Sequence, residues 1–213
     1  MKPRLKLLSM LALCSLAVVA LRSSAATIYT LVPGGFVNAQ SSGYPVGGAT
    51  VASVTYNYSS STLLGTLTSK VISGDTSNPY GGLTFLYLVT VDGASPQAAS
   101  RLTVSSFAGF ATDVSYDTTI SQTTVGTIVN PTSFGRSADG QVLRFSFDNP
   151  NIGDAQGSAL MVVQTDARFY GNGTAAVIDG SSANVSSLVP VPEPATGTLL
   201  LLATAAFALR RKH

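Results

Sequence analysis

Two aspartates, Asp113 and Asp117, are candidates for paired acid and base chemistry, because residues 27–189 contain nine aspartates and no glutamate. Glycoside hydrolysis needs two carboxyl groups facing one cleft, and the spacing of these two, in a predicted loop or strand end, does not require them to act together. The only cysteine, Cys14, and the only histidine, His213, lie outside this stretch. A Ser-His-Asp triad, a Cys-His pair and a His/Cys metal cage are therefore excluded within it. We expect no catalytic residue, and a secreted hydrolase remains a third hypothesis.

A second candidate site is a loop rich in oxygen-bearing side chains, which are the ligands that a hard cation such as Ca²⁺ prefers. Its candidate ligands are Asp148, Asn149, Asn151 and Asp154. The spacing departs from that of an EF-hand loop, because Pro150 and Ile152 occupy the third and fifth positions. A capped turn after the preceding strand explains the same residues. The sequence thus predicts no resident cofactor and leaves Ca²⁺ at this loop as the alternative.

Aromatic rings are the third kind of candidate, since modules that bind sugars often present them to the sugar faces. The chain has no tryptophan. Tyr80 and Tyr170 stand beside glycine-rich turn sequences and are predicted to be exposed in loops, whereas Tyr56 and Tyr58 are predicted to pack beside Val54 in a core. Tyr80 and Tyr170 are therefore the candidate glycan contacts, and the alternative is that they close the ends of the fold.

The elements that position these residues are predicted to be strands. Residues 27–189 are rich in Ser, Thr and Gly and in β-branched and aromatic types, and they contain a single lysine, which is a composition typical of β-structure. Alternation places Leu143, Phe145 and Phe147 on one face of a strand. The strands predicted are 27–32, 50–58, 63–72, 83–91, 101–107, 125–129, 141–147, 158–165, 175–178 and 184–189, with one helical turn expected at 94–100.

Turn sequences separate these strands, and Asp139-Gly140 before the 141–147 strand is typical of a hairpin. About ten short strands at this spacing predict an all-β fold, namely a single antiparallel β-sandwich or jelly-roll-like domain over residues 27–189. The domain is flanked by a segment at each end, predicted to be a signal peptide and a hydrophobic helix.

The N-terminal segment, residues 1–26, has the layout of a secretory signal peptide. Lys2, Arg4 and Lys6 precede an uncharged, mostly apolar run of about 15 residues that ends before Arg22. A helix of that length spans roughly 22 Å, which is short of the hydrocarbon core of a bilayer. Small residues then fit cleavage after Ala26 by signal peptidase. Cys14 lies inside the apolar run, so the processed chain would have no cysteine and no disulfide.

The C-terminal segment, residues 190–213, has three parts in order: the triplet Pro192-Glu193-Pro194, an uncharged run from Ala195 to Leu209, and a basic cluster. The cluster comprises Arg210, Arg211 and Lys212. Positive charge is retained on the cytoplasmic side of a membrane helix, so the cluster predicts that the sandwich lies on the opposite side. The apolar run is again about 15 residues, which makes a marginal span.

These three parts resemble the PEP-CTERM sorting signal of exported bacterial proteins. The resemblance implies recognition by an exosortase, a membrane-embedded processing enzyme of bacteria that make exopolysaccharide. It assigns Pro192, Glu193 and Pro194 as the recognition triplet and Arg210, Arg211 and Lys212 as the cytoplasmic stop. An ordinary tail anchor with a proline-rich linker predicts the same topology without processing.

Charge sets a further limit on function. The basic residues concentrate at the two ends, while residues 27–189 hold five basic residues against nine aspartates. Binding to nucleic acid by phosphate neutralisation is therefore not expected. The sequence predicts a non-enzymatic exported protein of the cell surface or extracellular matrix, transiently anchored by its C-terminus. The alternative is a carbohydrate-binding module that engages exopolysaccharide.

Overall fold

The computed structural model of the protein describes residues 29–42, 46–118 and 126–193, and these form fourteen strands. The strands are β1 (Tyr29–Thr30), β2 (Phe36–Asn38), β3 (Ala49–Ser59), β4 (Leu64–Ser73), β5 (Thr84–Val91), β6 (Arg101–Val104), β7 (Thr112–Asp117), β8 (Ile128–Val129), β9 (Ser133–Arg136), β10 (Leu143–Ser146), β11 (Gly157–Ser158), β12 (Leu160–Thr165), β13 (Phe169–Asp179) and β14 (Ser181–Val191). None of the described segments forms a helix with the length and hydropathy that a membrane span requires.

The strands form two sheets. The first, called sheet A, contains eight strands: β3, β4 and β5 pair in sequence, β11 and β12 lie along the far side of β5, and β7 and β1 follow beyond β12. The short strand β8 runs parallel to β11, and the other pairs are antiparallel. The second, called sheet B, has the order β14-β13-β6-β10-β9-β2 and is antiparallel throughout. The chain passes repeatedly between the sheets, as in a sandwich.

Alternation along the strands builds one core between the two sheets. Phe85 and Tyr87 of sheet A point inward, and they meet Phe107 and Phe145 across the gap. Phe134 packs edge-on against Phe145, with ring centroids 5.6 Å apart. Strand β5 is buried on both faces, because Leu86 and its neighbours form a second, smaller apolar cluster on the outside of sheet A.

Side chains of sheet A protect the edge of sheet B. Strand β14 is the last strand of sheet B, and an unpaired edge strand is a template for aggregation. The Ser69 hydroxyl accepts a hydrogen bond from the Leu188 amide at 3.0 Å, and the buried Tyr87 hydroxyl donates to the Leu188 carbonyl at 2.8 Å. Burial raises the pKa of Tyr87 well above its usual value. The two sheets are therefore joined by hydrogen bonds as well as by apolar contact.

The structure confirms the all-β sandwich and the predicted 141–147 strand, which is observed as β10, and the three side chains predicted to share its inner face, Leu143, Phe145 and Phe147, are all buried. It also confirms the hairpin at Asp139-Gly140, where Gly140 has a φ of +73°. The Ser137 hydroxyl and the Gln141 amide both donate to Asp139, which lowers the pKa of its carboxyl group.

Three details of the prediction were wrong. Strands β2, β7 and β9 were not predicted, and residues 94–100 form no helical turn. Tyr56 is 37% exposed, because it lies on β3 at the open edge of sheet A, while Tyr58 is buried as expected. The predicted signal peptide with its cleavage site at Ala26 lies outside the described residues, and so does the apolar run from 195 to 209.

Candidate functional site

The C-terminal sorting segment begins where the last strand ends. Strand β14 pairs with β13 along its whole length, up to the partners Phe169 and Val191. Pro192 and Glu193 follow directly and are exposed. Thus no linker separates the sandwich from the predicted recognition triplet, and the strand itself extends into the segment assigned to sorting. Pro194, Arg210, Arg211 and Lys212 lie outside the described residues.

The surface beside this junction is apolar and basic. We call it the exit end, and it consists of the start of β13 and the end of β14. Arg168, Phe169 and Tyr170 are consecutive and exposed there, with Phe169 45% and Tyr170 40% accessible. Exposed aromatic and arginine side chains together are typical of surfaces that meet a partner or a membrane interface.

Tyr170 lies in strand β13 and not in a loop, which corrects the prediction for its location. The glycine-rich sequence that follows it was interpreted as a turn, but Gly171 and Gly173 continue the strand. A Cβ atom at Gly173 would lie 2.5 Å from a methyl group of Val189, so close packing against β14 explains this glycine. The Tyr170 hydroxyl reaches toward the Val51 carbonyl at 3.4 Å, and its ring remains available to a ligand.

Tyr80 lies in a loop, as predicted, but it is half-buried and its hydroxyl is engaged. It donates to Asp113 at 2.6 Å and lies 3.5 Å from the Thr30 hydroxyl. Burial and the hydrogen bond to Asp113 raise the pKa of Tyr80. The tyrosine thus fastens the loop before β5 to strand β7, and part of its ring is covered.

A buried polar network holds this loop in place. Asp75 accepts hydrogen bonds from the hydroxyls of Ser77 and Thr84, at 2.6 and 2.8 Å, and from the Gln164 amide at 3.0 Å. The Asn78 amide donates to the carbonyls of Gly82 and Thr165, at 3.1 and 3.0 Å. The partners Thr165 and Gln164 lie 87 and 89 residues away from Asn78 and Asp75, so the local sequence does not predict this network.

Arg136 is a buried structural residue. Its guanidinium donates four hydrogen bonds of 2.6–3.0 Å to backbone carbonyls, which belong to Leu31, Phe107, Phe110 and Gly140. Burial lowers the pKa of the guanidinium. Because every acceptor is a carbonyl of the chain itself, Arg136 joins three loops of the sandwich and has little left to offer a ligand.

The four candidate calcium ligands, Asp148, Asn149, Asn151 and Asp154, all have exposed side chains. Asp148 interacts with the Thr132 hydroxyl, whose oxygen lies 3.4 Å from Oδ2. Between them, Ile152 is buried and forms a two-way backbone bridge with Ala99. Among the described residues, no group of three or more His, Cys, Asp or Glu side chains is placed to hold a metal ion. The loop therefore has a structural explanation, and its response to Ca²⁺ stays a prediction.

The aspartate pair considered for acid and base chemistry lies on one face of β7. Asp113 is the second residue of this strand and Asp117 the last, which agrees with the predicted strand end, and both are buried, at 4% and 1% accessibility. Asp113 accepts a hydrogen bond from the Tyr80 hydroxyl. Little of either side chain is therefore open to solvent.

A shallow groove on the outside of sheet A is lined by hydroxyl groups. Thr55 and Thr68 are hydrogen-bonded at 2.8 Å, and Thr66 and Thr90 at 2.6 Å. The groove has a volume of about 430 Å³, and Asp92, Gly93 and Ala155 also line it. Its donors and acceptors are those that neutral polyols can match.

The comparisons with known proteins identify the C-terminal segment. A family model described as the PEP-CTERM protein-sorting motif matches residues 190–212. The chain carries a PEP-CTERM sorting motif. No curated protein and no solved structure matches the chain. The match starts at Pro190, inside β14, and so agrees with the direct junction seen in the structure.

The PEP-CTERM motif indicates an exported protein with a membrane-anchored sorting signal that an exosortase processes. In this chain the pairing of β14 with β13 ends at Val191. Pro192 and Glu193 follow directly and are exposed, and Pro194 lies outside the described residues.

Proposed function

We propose that this protein is a non-enzymatic component of the cell surface or extracellular matrix, delivered by signal peptidase and exosortase in turn. The observation that carries the proposal is the PEP-CTERM motif joined without a linker to the last strand of a sandwich. Signal peptidase would act after Ala26, and the C-terminal segment would hold the chain in the cytoplasmic membrane until the exosortase acts.

The sandwich suits an extracellular structural role. Its sheets are joined by buried hydrogen bonds and by the Arg136 contacts, so it needs no disulfide, and no cysteine remains after residue 26. Its candidate acid pair is buried in a strand and its loops are tied down by Asn78 and Asp75. These features favour a rigid module over a catalyst that must open to its substrate.

Surface labelling in a host with the matching exosortase tests this function. The expected result is that an impermeant amine- or carboxyl-reactive label reaches the protein on intact cells.

The Glu193→Gln variant tests recognition of the triplet. The substitution keeps the size of the side chain and removes the charge of the triplet, and it should leave the protein in the membrane fraction. Asp154→Asn is the matched control, because it removes an exposed carboxylate far from the triplet. Equal release of both variants would contradict triplet recognition, and an unlabelled protein would contradict surface display.

A second candidate function is polysaccharide binding, which is supported by the exposed ring of Tyr170 and by the hydroxyl-lined groove of sheet A. A glycan array probed with the full chain tests it. Tyr170→Ala should reduce binding more than Tyr80→Ala, because the Tyr80 hydroxyl is occupied by Asp113. Tyr56→Ala is the control, since Tyr56 is also an exposed strand tyrosine. Equal signals for all three would contradict contact through these rings.

A further inference from the structure

The outer face of sheet B carries a row of residues from four adjacent strands. Thr103 of β6 pairs with Arg144 of β10, Arg144 pairs with Gly135 of β9, and Gly135 pairs with Phe36 of β2. The neighbours of these residues along the strands, such as Leu143, point into the core. Alternation therefore places the whole row on the side away from the core.

Gly135 lets the guanidinium of Arg144 lie flat across this row. A Cβ atom at Gly135 would be 2.9 Å from Nη2 and 3.1 Å from Nε of Arg144, closer than side chains normally approach. The guanidinium carbon is 5.6 Å from the centre of the Phe36 ring, which is a cation–π distance. Phe36 is 58% exposed, so its ring also presents apolar surface to solvent.

No carboxylate in the described strands of sheet B lies on this face to neutralise its positive charge. The Nε atoms of Arg144 and Arg101 are buried and have no hydrogen-bond partner among the described residues. Arg101 lies on the same face of β6, two residues from Thr103. Arg101 and Arg144 are therefore diagonal neighbours on adjacent strands, a relation in which the two residues are about 7–8 Å apart. All six strands of sheet B are described, and their residues on this face include no aspartate or glutamate. Arg136 differs from Arg101 and Arg144, because its guanidinium donates hydrogen bonds to four backbone carbonyls of the protein.

A groove of about 210 Å³ opens beside Arg144 and is lined by Thr103, Gly135, Arg136, Ser137, Val142 and Arg144 itself. This is below the roughly 300 Å³ at which sites for drug-sized ligands begin. Asp139 lies at the neighbouring hairpin tip, but its carboxylate is held by Ser137 and Gln141. The space therefore suits one small anionic unit.

We propose that this face binds a carboxylate-bearing sugar unit of an extracellular polysaccharide. The planar guanidinium of Arg144 pairs with the carboxylate in a fork geometry. Phe36 covers the apolar face of the sugar ring, and Thr103 lines the same groove. This site would be the binding surface of the second candidate function, polysaccharide binding. It rests on the proposed export only because the polysaccharide is outside the cell. Nucleic acid is disfavoured, because two free arginines on a domain rich in aspartate neutralise too few phosphates.

Affinity electrophoresis of the full chain in mild detergent tests the site, with polygalacturonate in the gel and its fully methyl-esterified form as the matched neutral polymer. The expected result is retardation by the acid polymer alone at low salt. Arg144→Gln should weaken the apparent affinity at least five-fold. Gly135→Ala should do the same while keeping every charge, because the added methyl group displaces the guanidinium. Lys70→Gln, the same charge change in strand β4 of sheet A, should have no effect.

Four outcomes would overturn the proposal: no retardation of the unmodified chain, equal retardation by the esterified polymer, an equal loss in Lys70→Gln and Arg144→Gln, or equal retardation by duplex DNA. Circular dichroism of each variant separates lost binding from lost folding, and if Gly135→Ala unfolds, Phe36→Ala takes its place with the same expected loss. The assay needs no exosortase, so its failure leaves the sorting function standing, and a failure of sorting leaves the binding result standing.

Discussion

Arg136 is the single side chain whose removal we expect to destabilise the fold most. Replacing it by Met keeps much of the apolar stem and leaves the buried carbonyls of Leu31, Phe107 and Phe110 without their donor. Each unsatisfied buried group costs about 1–3 kcal/mol, so the free energy of unfolding should fall by at least about 3 kcal/mol. Urea unfolding followed by circular dichroism measures the change.

Arg168→Met is the control for that experiment. It makes the same substitution at an exposed arginine of the exit end. Its midpoint in urea should match that of the unmodified protein. If both variants lost equal stability, the effect would come from net charge and not from the four carbonyl contacts.

At the scale of elements, the closure of the β14 edge is the feature to test. Tyr87→Phe removes only the hydroxyl that donates to Leu188 across the sandwich. The carbonyl then remains buried without this donor, and the expected loss is about 1–2 kcal/mol. Tyr56→Phe makes the same chemical change at an exposed position and should leave stability unchanged. A Tyr87→Phe protein as stable as the control would show that the edge does not depend on this hydrogen bond.

The elements also show what the sequence could and could not predict. Alternation in β10 and the apolar run of β5 identified both strands, because each follows a strand rule in its own residues. Strands β2 and β9 are not predicted, because three or four residues are too few to show an alternating pattern. Each forms a strand through its hydrogen bonds with a neighbouring strand. The arginine row on sheet B was missed for the same reason, since Arg144 and Phe36 are 108 positions apart and meet only through the register of β9.

At the scale of the whole molecule, the short connection to the membrane segment is the main constraint. Only residues 192–194 separate the end of β14 from the uncharged run that begins at Ala195. At no more than 3.6 Å per residue, the exit end lies within about 14 Å of that run. While the sorting segment is embedded, we therefore expect Phe169 and Tyr170 to lie near the headgroup layer, where aromatic side chains are favoured.

The intact mass of the protein, recovered from matched cells with and without the exosortase, tests the central claim of export and C-terminal processing most directly. Both samples should have lost residues 1–26. Only the sample from exosortase-containing cells should also have lost the chain beyond the PEP-CTERM triplet, with its apolar run and Arg210-Arg211-Lys212. Equal masses that retain the C-terminal segment in both samples would contradict the account.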